Sequence, residues 1–370
     1  MRYTQAIIDL AAIRGNLGLI KQKLAASGRL MAVVKANAYG HGLVRVAKAA
    51  LESGCEQLAV AIPEEGIVLR AAGVAAPIAV LGLIPPEQAE ECVINRLTVT
   101  VCEHGHLPPL SQAARKYGLP AGVLVKVNTG MNRIGANPRE VPALIAAINQ
   151  TPGISWAGLF THFASAGGPD LSYADKQLDN FKQLLQTLTE GGLKPPLISS
   201  SASGAVFNLP HGHFDLARVG IAMYGLYPSD FIAQEHKLCP ALQLVTRIAQ
   251  IRAVAAGEPV GYEMNWREEE NCLIAVLPVG YGDGYSRSLS NKASVLIGGR
   301  RYPAVGNICM DQMMVCLGQN SAAQPGDQAV LVGRQGGESI TLEELALQAN
   351  TINYELACNI AARVPRIYTD

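Results

Sequence analysis

The sequence predicts an α/β fold: a (β/α)8 barrel of the TIM type followed by a mainly β C-terminal domain. Three observations carry this expectation. Short apolar runs alternate with amphipathic stretches through the first two thirds of the chain. Reactive side chains fall at or just past the ends of those runs, where parallel barrels place their chemistry. Past Leu238-Cys239-Pro240 the runs become short and alternating, with turn signals between them.

In chain order, the candidate barrel strands are residues 30–35, 58–61, 78–82, 97–101, 122–128, 154–160, 197–200 and 214–220. Each is a short apolar run bounded by turn residues, the pattern of a strand buried on both faces. Amphipathic stretches such as 44–53, 140–150 and 173–190 lie between them and suit covering helices. An open doubly wound sheet shows the same alternation and stays a rival at this stage. No GxGxxG follows the first run, which weakens the dinucleotide-binding form of that rival. Later candidate strands are 244–251, 272–277, 293–297, 313–317 and 329–332, separated by Ala256-Gly257, Gly298-Gly299 and Pro325-Gly326-Asp327. A helix over 342–349 has Thr341 as its expected N-cap. The expected domains are 1–238 and 239–370.

Composition narrows the function classes. Thirty basic and thirty acidic residues cancel, so there is no electrostatic footprint for nucleic acid or for a membrane surface. No apolar run reaches spanning length, and Met1-Arg2-Tyr3-Thr4-Gln5 lacks a secretory pattern. Eight cysteines without CxxC spacing fit a reducing compartment better than a disulfide framework or a zinc ribbon. The expectation is a cytoplasmic enzyme. His104/His106 and His211/His213 lack partners at ligand spacing and read as loop histidines, so no metal site is expected.

The richest stretch is Val33-Val34-Lys35-Ala36-Asn37-Ala38-Tyr39-Gly40-His41-Gly42. A lysine at the end of a buried strand is partly desolvated, which favours the neutral, nucleophilic amine. Such amines form Schiff bases with carbonyls, including the aldehyde of pyridoxal phosphate. Tyr39 offers a phenol, and Gly40 and Gly42 let backbone approach a ligand. Arg218 lies inside the apolar run Ala217–Ile221 and needs a buried partner; taken alone it is most simply a structural ion pair. Phosphate donors are available in Gly220 and Ile221 N–H, the hydroxyls of Ser199-Ser200-Ser201-Ala202-Ser203, and the phenols of Tyr39 and Tyr354.

The Lys35 segment resembles the cofactor-lysine motif of alanine racemases. Further matches in Lys126–Gly135, Thr161–Ala164, Ala217–Gly225, Glu258–Glu263, Pro278–Tyr285, Gly306–Gln312, Ile352–Glu355 and Ala362–Arg366 extend the resemblance over essentially the whole chain. It implies a pyridoxal-phosphate enzyme that interconverts L- and D-alanine, supplying or using D-alanine as a peptidoglycan precursor. It implies that Arg218 faces the cofactor's ring nitrogen, and that Ser201, Gly220, Ile221, Tyr39 and Tyr354 hold the phosphate. Arg133 would meet the phenolic oxygen and the substrate carboxylate. Lys126 matches a lysine carbamylated in some members. Lys35 and Tyr262 would be the two bases, with His162 and Arg218 as cationic neighbours of Tyr262. Tyr281, Met310 and Asp311 would line the substrate side.

The resemblance further implies a homodimer with shared sites, and a first strand near 5–10 that joins the C-terminal domain. Two departures stand out: Ser200 where the family usually has Asn, and Asn128 where it commonly has Asp. The alternatives are a serine-preferring or broad racemase, a decarboxylase of the same two-domain plan, and a non-catalytic pyridoxal-phosphate carrier. The last usually lacks a second domain.

Overall fold

The computed structural model describes residues 2–24, 28–232 and 237–370. The chain divides into two compact units, Ala12–Ala38 with Leu43–Cys239, and Met1–Ala11 with Tyr39–Gly42 and Pro240–Asp370.

Strand β1 (Gln5–Asp9) belongs to the second of these units. The first is built on β2 (Arg29–Val33), β3 (Gln57–Val60), β4 (Ile78–Val80), β5 (Leu97–Val101), β6 (Ala121–Lys126), β7 (Ile154–Phe160), β8 (Ile198–Ser199) and β9 (Leu216–Val219). All pair in parallel, in the order β8-β7-β6-β5-β4-β3-β2-β9. The seam between β8 and β9 is closed by two backbone bonds. Asp215 N–H donates to the Ile198 carbonyl at 3.1 Å, and Arg218 N–H to the Ser201 carbonyl at 3.0 Å. Because this seam joins the two ends of the strand order, the sheet is a nearly closed barrel and the doubly wound rival falls away. Each of the eight expected runs overlaps one strand.

The runs are continuous rather than alternating because both faces are covered. Leu58, Ala59 and Val60 are all fully buried. The covering helices include Leu43–Glu52, Val141–Gln150 and Ser172–Glu190, close to their expected positions. Leu10–Lys23 is a helix the period does not advertise, since it carries Gly15 and Gly18; Ile13, Leu17 and Ile20 bury its inner face. Pro63–Ala71 and Leu107–Tyr117 carry proline in their first turn, where its missing N–H costs nothing.

The second unit is a ten-stranded sheet. Its members besides β1 are β10 (Leu242–Arg247), β11 (Gln250–Val254), β12 (Cys272–Leu277), β13 (Ser294–Ile297), β14 (Arg300–Val305), β15 (Met313–Gly318), β16 (Gln328–Gln335), β17 (Glu338–Ile340) and β18 (Arg366–Thr369). Strand β1 lies between β10, antiparallel, and β18, parallel. The expected single strand over 244–251 is two. At Ile248-Ala249 the chain changes partners: Ile248 N–H bonds the Asp327 carbonyl and Ala249 N–H the Val276 carbonyl, each at 2.9 Å. Before this point β10 pairs with β1 and β16, and after it β11 pairs with β12. The helix Leu342–Ala349 starts as expected, with Thr341 Oγ1 accepting from Glu344 N–H at 3.1 Å. Among the described residues no helix is long and apolar enough to cross a membrane.

Candidate active site

Lys35 stands two residues past β2. Val34 N–H still bonds the Ala59 carbonyl at 2.8 Å, and buried Tyr224 donates its hydroxyl to the Val33 carbonyl at 3.0 Å. These bonds fix the strand end that carries the lysine. The chain then enters a left-handed turn, with φ of 52° to 54° at Ala36, Asn37, Ala38 and Tyr39. The sequence suggests a turn of small residues here but gives no hint of its hand. Each L-residue in this region costs ~1–2 kcal/mol, so the surroundings must impose it. Asn37 Oδ1 accepts from Leu43 N–H at 2.9 Å. The Glu65 carboxylate accepts from Ala36 N–H at 2.5 Å and from Ala61 N–H at 2.8 Å. The glycines of the motif serve the fold: a Cβ at Gly40 would strike the Ala357 carbonyl oxygen, and one at Gly42 the Tyr368 hydroxyl. Close approach to a ligand, expected of them from the sequence, is therefore replaced by close approach to protein.

Beside Lys35 the barrel gathers cations. Lys126 ends β6, is buried, and has Nζ 5.6 Å from the centre of the Phe160 ring. Arg218 in β9 lies over the same ring, its Cζ 5.2 Å away. Burial, then Arg133, Arg218 and Lys35, push the Lys126 ammonium down to about 8. The Arg218 guanidinium is 4% exposed, and its described partners are all uncharged. Nη1 donates to Ser199 Oγ at 2.6 Å. Nη2 donates to the Thr161 carbonyl at 2.7 Å, the Ser200 carbonyl at 3.2 Å and His162 Nδ1 at 3.3 Å. The structural ion pair that Arg218 would suggest taken alone is absent from these bonds. Burial lowers its pKa to about 10, which leaves it charged at neutral pH.

His162 sits two residues past β7. Burial, then Arg218, push its pKa down to about 3, so the expected cationic histidine is instead a neutral imidazole. A guanidinium only donates, so Nδ1 is the acceptor and the ring proton resides on Nε2. Ser199, which anchors Nη1, is a partner that the serine run alone does not single out.

The same run hides a second distinction. Ser200 and Ser201 both turn their hydroxyls to the Gly212 carbonyl, at 2.6 and 3.0 Å. Ser203 Oγ instead accepts from Gly220 N–H at 3.1 Å and Ala222 N–H at 3.4 Å. Gly220 N–H, expected as an open donor, is therefore engaged. Ile221 opens the 3-10 turn Ile221–Tyr224, so its own N–H is one the turn does not use.

The other unit carries the remaining expected residues. The Tyr39 and Tyr354 rings are 6.1 Å apart. Burial pushes the Tyr354 phenol up to about 12 and Tyr39 well above the usual range, so both are donors at neutral pH. Tyr262 follows Gly261, where φ is +81°, and is 71% exposed. Asn307 Nδ2 fixes the Tyr262 carbonyl at 3.0 Å. Tyr281 N–H bonds the Cys309 carbonyl at 3.0 Å, and Gly282 N–H the Met310 carbonyl at 2.9 Å, tying the Tyr281 and Met310 loops together. Asp311 pairs with Arg363 at 2.8 Å, and Arg363 pairs with fully buried Asp283 at 2.8 Å. Arg363, which joins Asp311 to Asp283, is not singled out by the sequence; its signal is its place in the motif ending at Arg366.

Residues 8–228 match the family model described as alanine racemase, N-terminal domain, and residues 241–368 the one described as alanine racemase, C-terminal domain. A relative named alanine racemase from Symbiobacterium thermophilum is 44% identical over 100% of this chain and 97% of its own. The crystal structure of alanine racemase from Bacillus anthracis with bound L-Ala-P superposes with a TM-score of 0.95 at 37% identity, covering 100% of this chain and 96% of that one. A histidine racemase from Leuconostoc mesenteroides has the same architecture, with a TM-score of 0.92, but only 28% identity over 100% of this chain and 98% of its own. With both family models matched and full-length relatives above 40% identity, the chain belongs to the alanine racemase family.

Proposed function

We propose that the chain interconverts L- and D-alanine in the cytoplasm, using pyridoxal phosphate attached at Lys35 and two bases on opposite faces of the substrate. The observation that carries this reading is the cationic cluster of Lys35, Lys126, Arg133 and Arg218, in which the described partners of buried Arg218 are all uncharged. Such a cluster suits an anionic cofactor and an anionic substrate. The bonds of Arg218 employ Nη1 and Nη2 and leave its Nε–H for a ring nitrogen. Ile221 N–H and the hydroxyl of Ser203, which only accepts in its described bonds, suit a phosphate. The donor set therefore fits the group.

Bound there, pyridoxal phosphate supplies the electron sink that makes an alanine α-proton acidic. Lys35 moves that proton at Cα on one face. Tyr262, contributed by a second copy of the chain, moves it on the other. Exposure of Tyr262, Tyr281 and Met310, at 71%, 43% and 55%, supports their facing a partner. Symmetric pairing is the commonest form of assembly. His162 Nε2–H and the charge of Arg218 stabilise the Tyr262 phenolate. Arg133 and Met310 N–H hold the substrate carboxylate, with Tyr281 and Asp311 shaping that side. A decarboxylase of the same plan would carry a carboxylate in place of Arg218.

Chiral analysis of the purified protein with added cofactor tests this reading. L-alanine should reach equal L and D amounts, since enantiomers have equal free energy. L-serine and L-histidine should react far more slowly. Release of carbon dioxide without D-alanine would contradict the reading.

Lys126 is proposed to carry a carbamate. Its neutral amine adds carbon dioxide and loses one proton, turning a crowded cation into an anion that orients Arg133. With its pKa lowered to about 8, the neutral form grows as pH rises from 7 to 9. In 13C-bicarbonate the carbamate resonance should therefore grow over that range and vanish in Lys126→Met. A resonance that survives the substitution belongs to another amine.

A further inference from the structure

We infer that Glu65 is a positioning residue for the reaction: its carboxylate imposes the left-handed turn that aims Lys35. The inference rests on Lys35 acting as proposed above. Ala36 N–H is the amide directly after Lys35, so the acceptor that holds it fixes the orientation of the Lys35 peptide. That acceptor is Glu65 Oε1 at 2.5 Å. Strand β2 and the Val34–Ala59 bond hold the other side of Lys35. Between them they set the direction of its Cα–Cβ bond.

The second oxygen of Glu65 grips Ala61 N–H at 2.8 Å. Ala61 follows β3 and is firmly placed, because its carbonyl accepts from Gly82 N–H at 3.1 Å and a Cβ at Gly82 would stand 2.5 Å from that oxygen. Glu65 itself is held on the helix Pro63–Ala71. One carboxylate therefore ties the loop after β2 to the frame after β3. Two converging N–H donors call for an acceptor with two oxygens and a negative charge. A carboxamide offers one oxygen and turns an NH2 against the other N–H. Released from this grip, Ala36 and its neighbours would relax from a conformation that L-residues disfavour, and Lys35 would swing with them.

The test uses cofactor-loaded Glu65→Gln protein. Small misplacements of a reacting group can cost about 100-fold, so kcat should fall roughly 10- to 100-fold with KM for alanine within about twofold. Amide hydrogen exchange, followed by mass spectrometry, should accelerate by about tenfold or more in the peptide spanning residues 31–43, rise as well at Ala61, and stay unchanged elsewhere. Adding Ala36→Gly should recover part of the lost kcat, because glycine adopts the left-handed region without strain. Three results would overturn the inference: exchange in 31–43 like that of the unsubstituted protein, faster exchange throughout the chain with a matching fall in Tm, or no recovery in the double variant. Unaltered racemisation in Glu65→Gln protein would overturn it as well, whereas racemisation that survives in Lys35→Ala protein would refute the role of Lys35 on which it rests.

Discussion

Replacing Arg218 with glutamate is expected to cut racemisation by roughly two to three orders of magnitude, or ~3–4 kcal/mol of barrier, and to raise transamination, read as pyruvate formed from alanine. The cause is charge at one atom. Arg218 is buried among a hydroxyl, two carbonyls and a neutral imidazole, and with a pKa of about 10 it stays a cation. A guanidinium gives up no proton to a pyridine nitrogen. With pyridoxal phosphate bound as proposed, the ring would be a modest electron sink, and the site's own bases would return the proton promptly to Cα. A carboxylate at the same place favours the protonated ring and lets protons arrive elsewhere. Loss of a buried, fully bonded arginine also threatens folding, so the comparison uses variant protein that still binds cofactor. Chiral chromatography and a pyruvate assay on that protein check the prediction. Activity lost without any gain of pyruvate would remove Arg218 from control of the ring nitrogen.

The barrel was legible because parallel strands buried on both faces leave uninterrupted apolar runs, and all eight survive as strands. The second unit was less legible for a physical reason. Apolar periodicity records which face is buried, not which partner a strand pairs with, so the change of partner at Ile248-Ala249 left no mark. Strand β14 is mostly exposed along its first four residues and offers no apolar run. Strand β18, Arg366–Thr369, pairs with β1 alone and reads as tail.

The site divides in the same way. Lys35 and Arg218 are conspicuous, since each is a charged residue set in apolar sequence. The left-handed turn is not, because Ala36 and Ala38 have no preference for positive φ. Glu65 lies 29 residues from the amide it holds and looks like any acidic residue in the first turn of a helix. Among four near-identical serines, only three-dimensional placement separates Ser199 on Arg218, Ser200 and Ser201 on Gly212, and Ser203 on Gly220. The neutrality of His162 depends on burial and on Arg218, neither of which its own segment displays.

Tyr262→Phe should cause the other large loss, and a one-sided one. It keeps the ring and removes the proton carrier, an effect typically worth about 100- to 10,000-fold for a general acid or base. Because Tyr262 is proposed to come from a second copy, mixtures of Tyr262→Phe and Lys35→Ala chains should regain activity, one of the two sites in each hybrid keeping both bases. The central claim is that two different residues serve the two faces of alanine, and α-proton exchange in deuterated solvent reads each face separately. The account predicts that Tyr262→Phe suppresses exchange from L-alanine by about 100-fold or more while exchange from D-alanine, through Lys35, falls far less. Equal suppression from both enantiomers would contradict it.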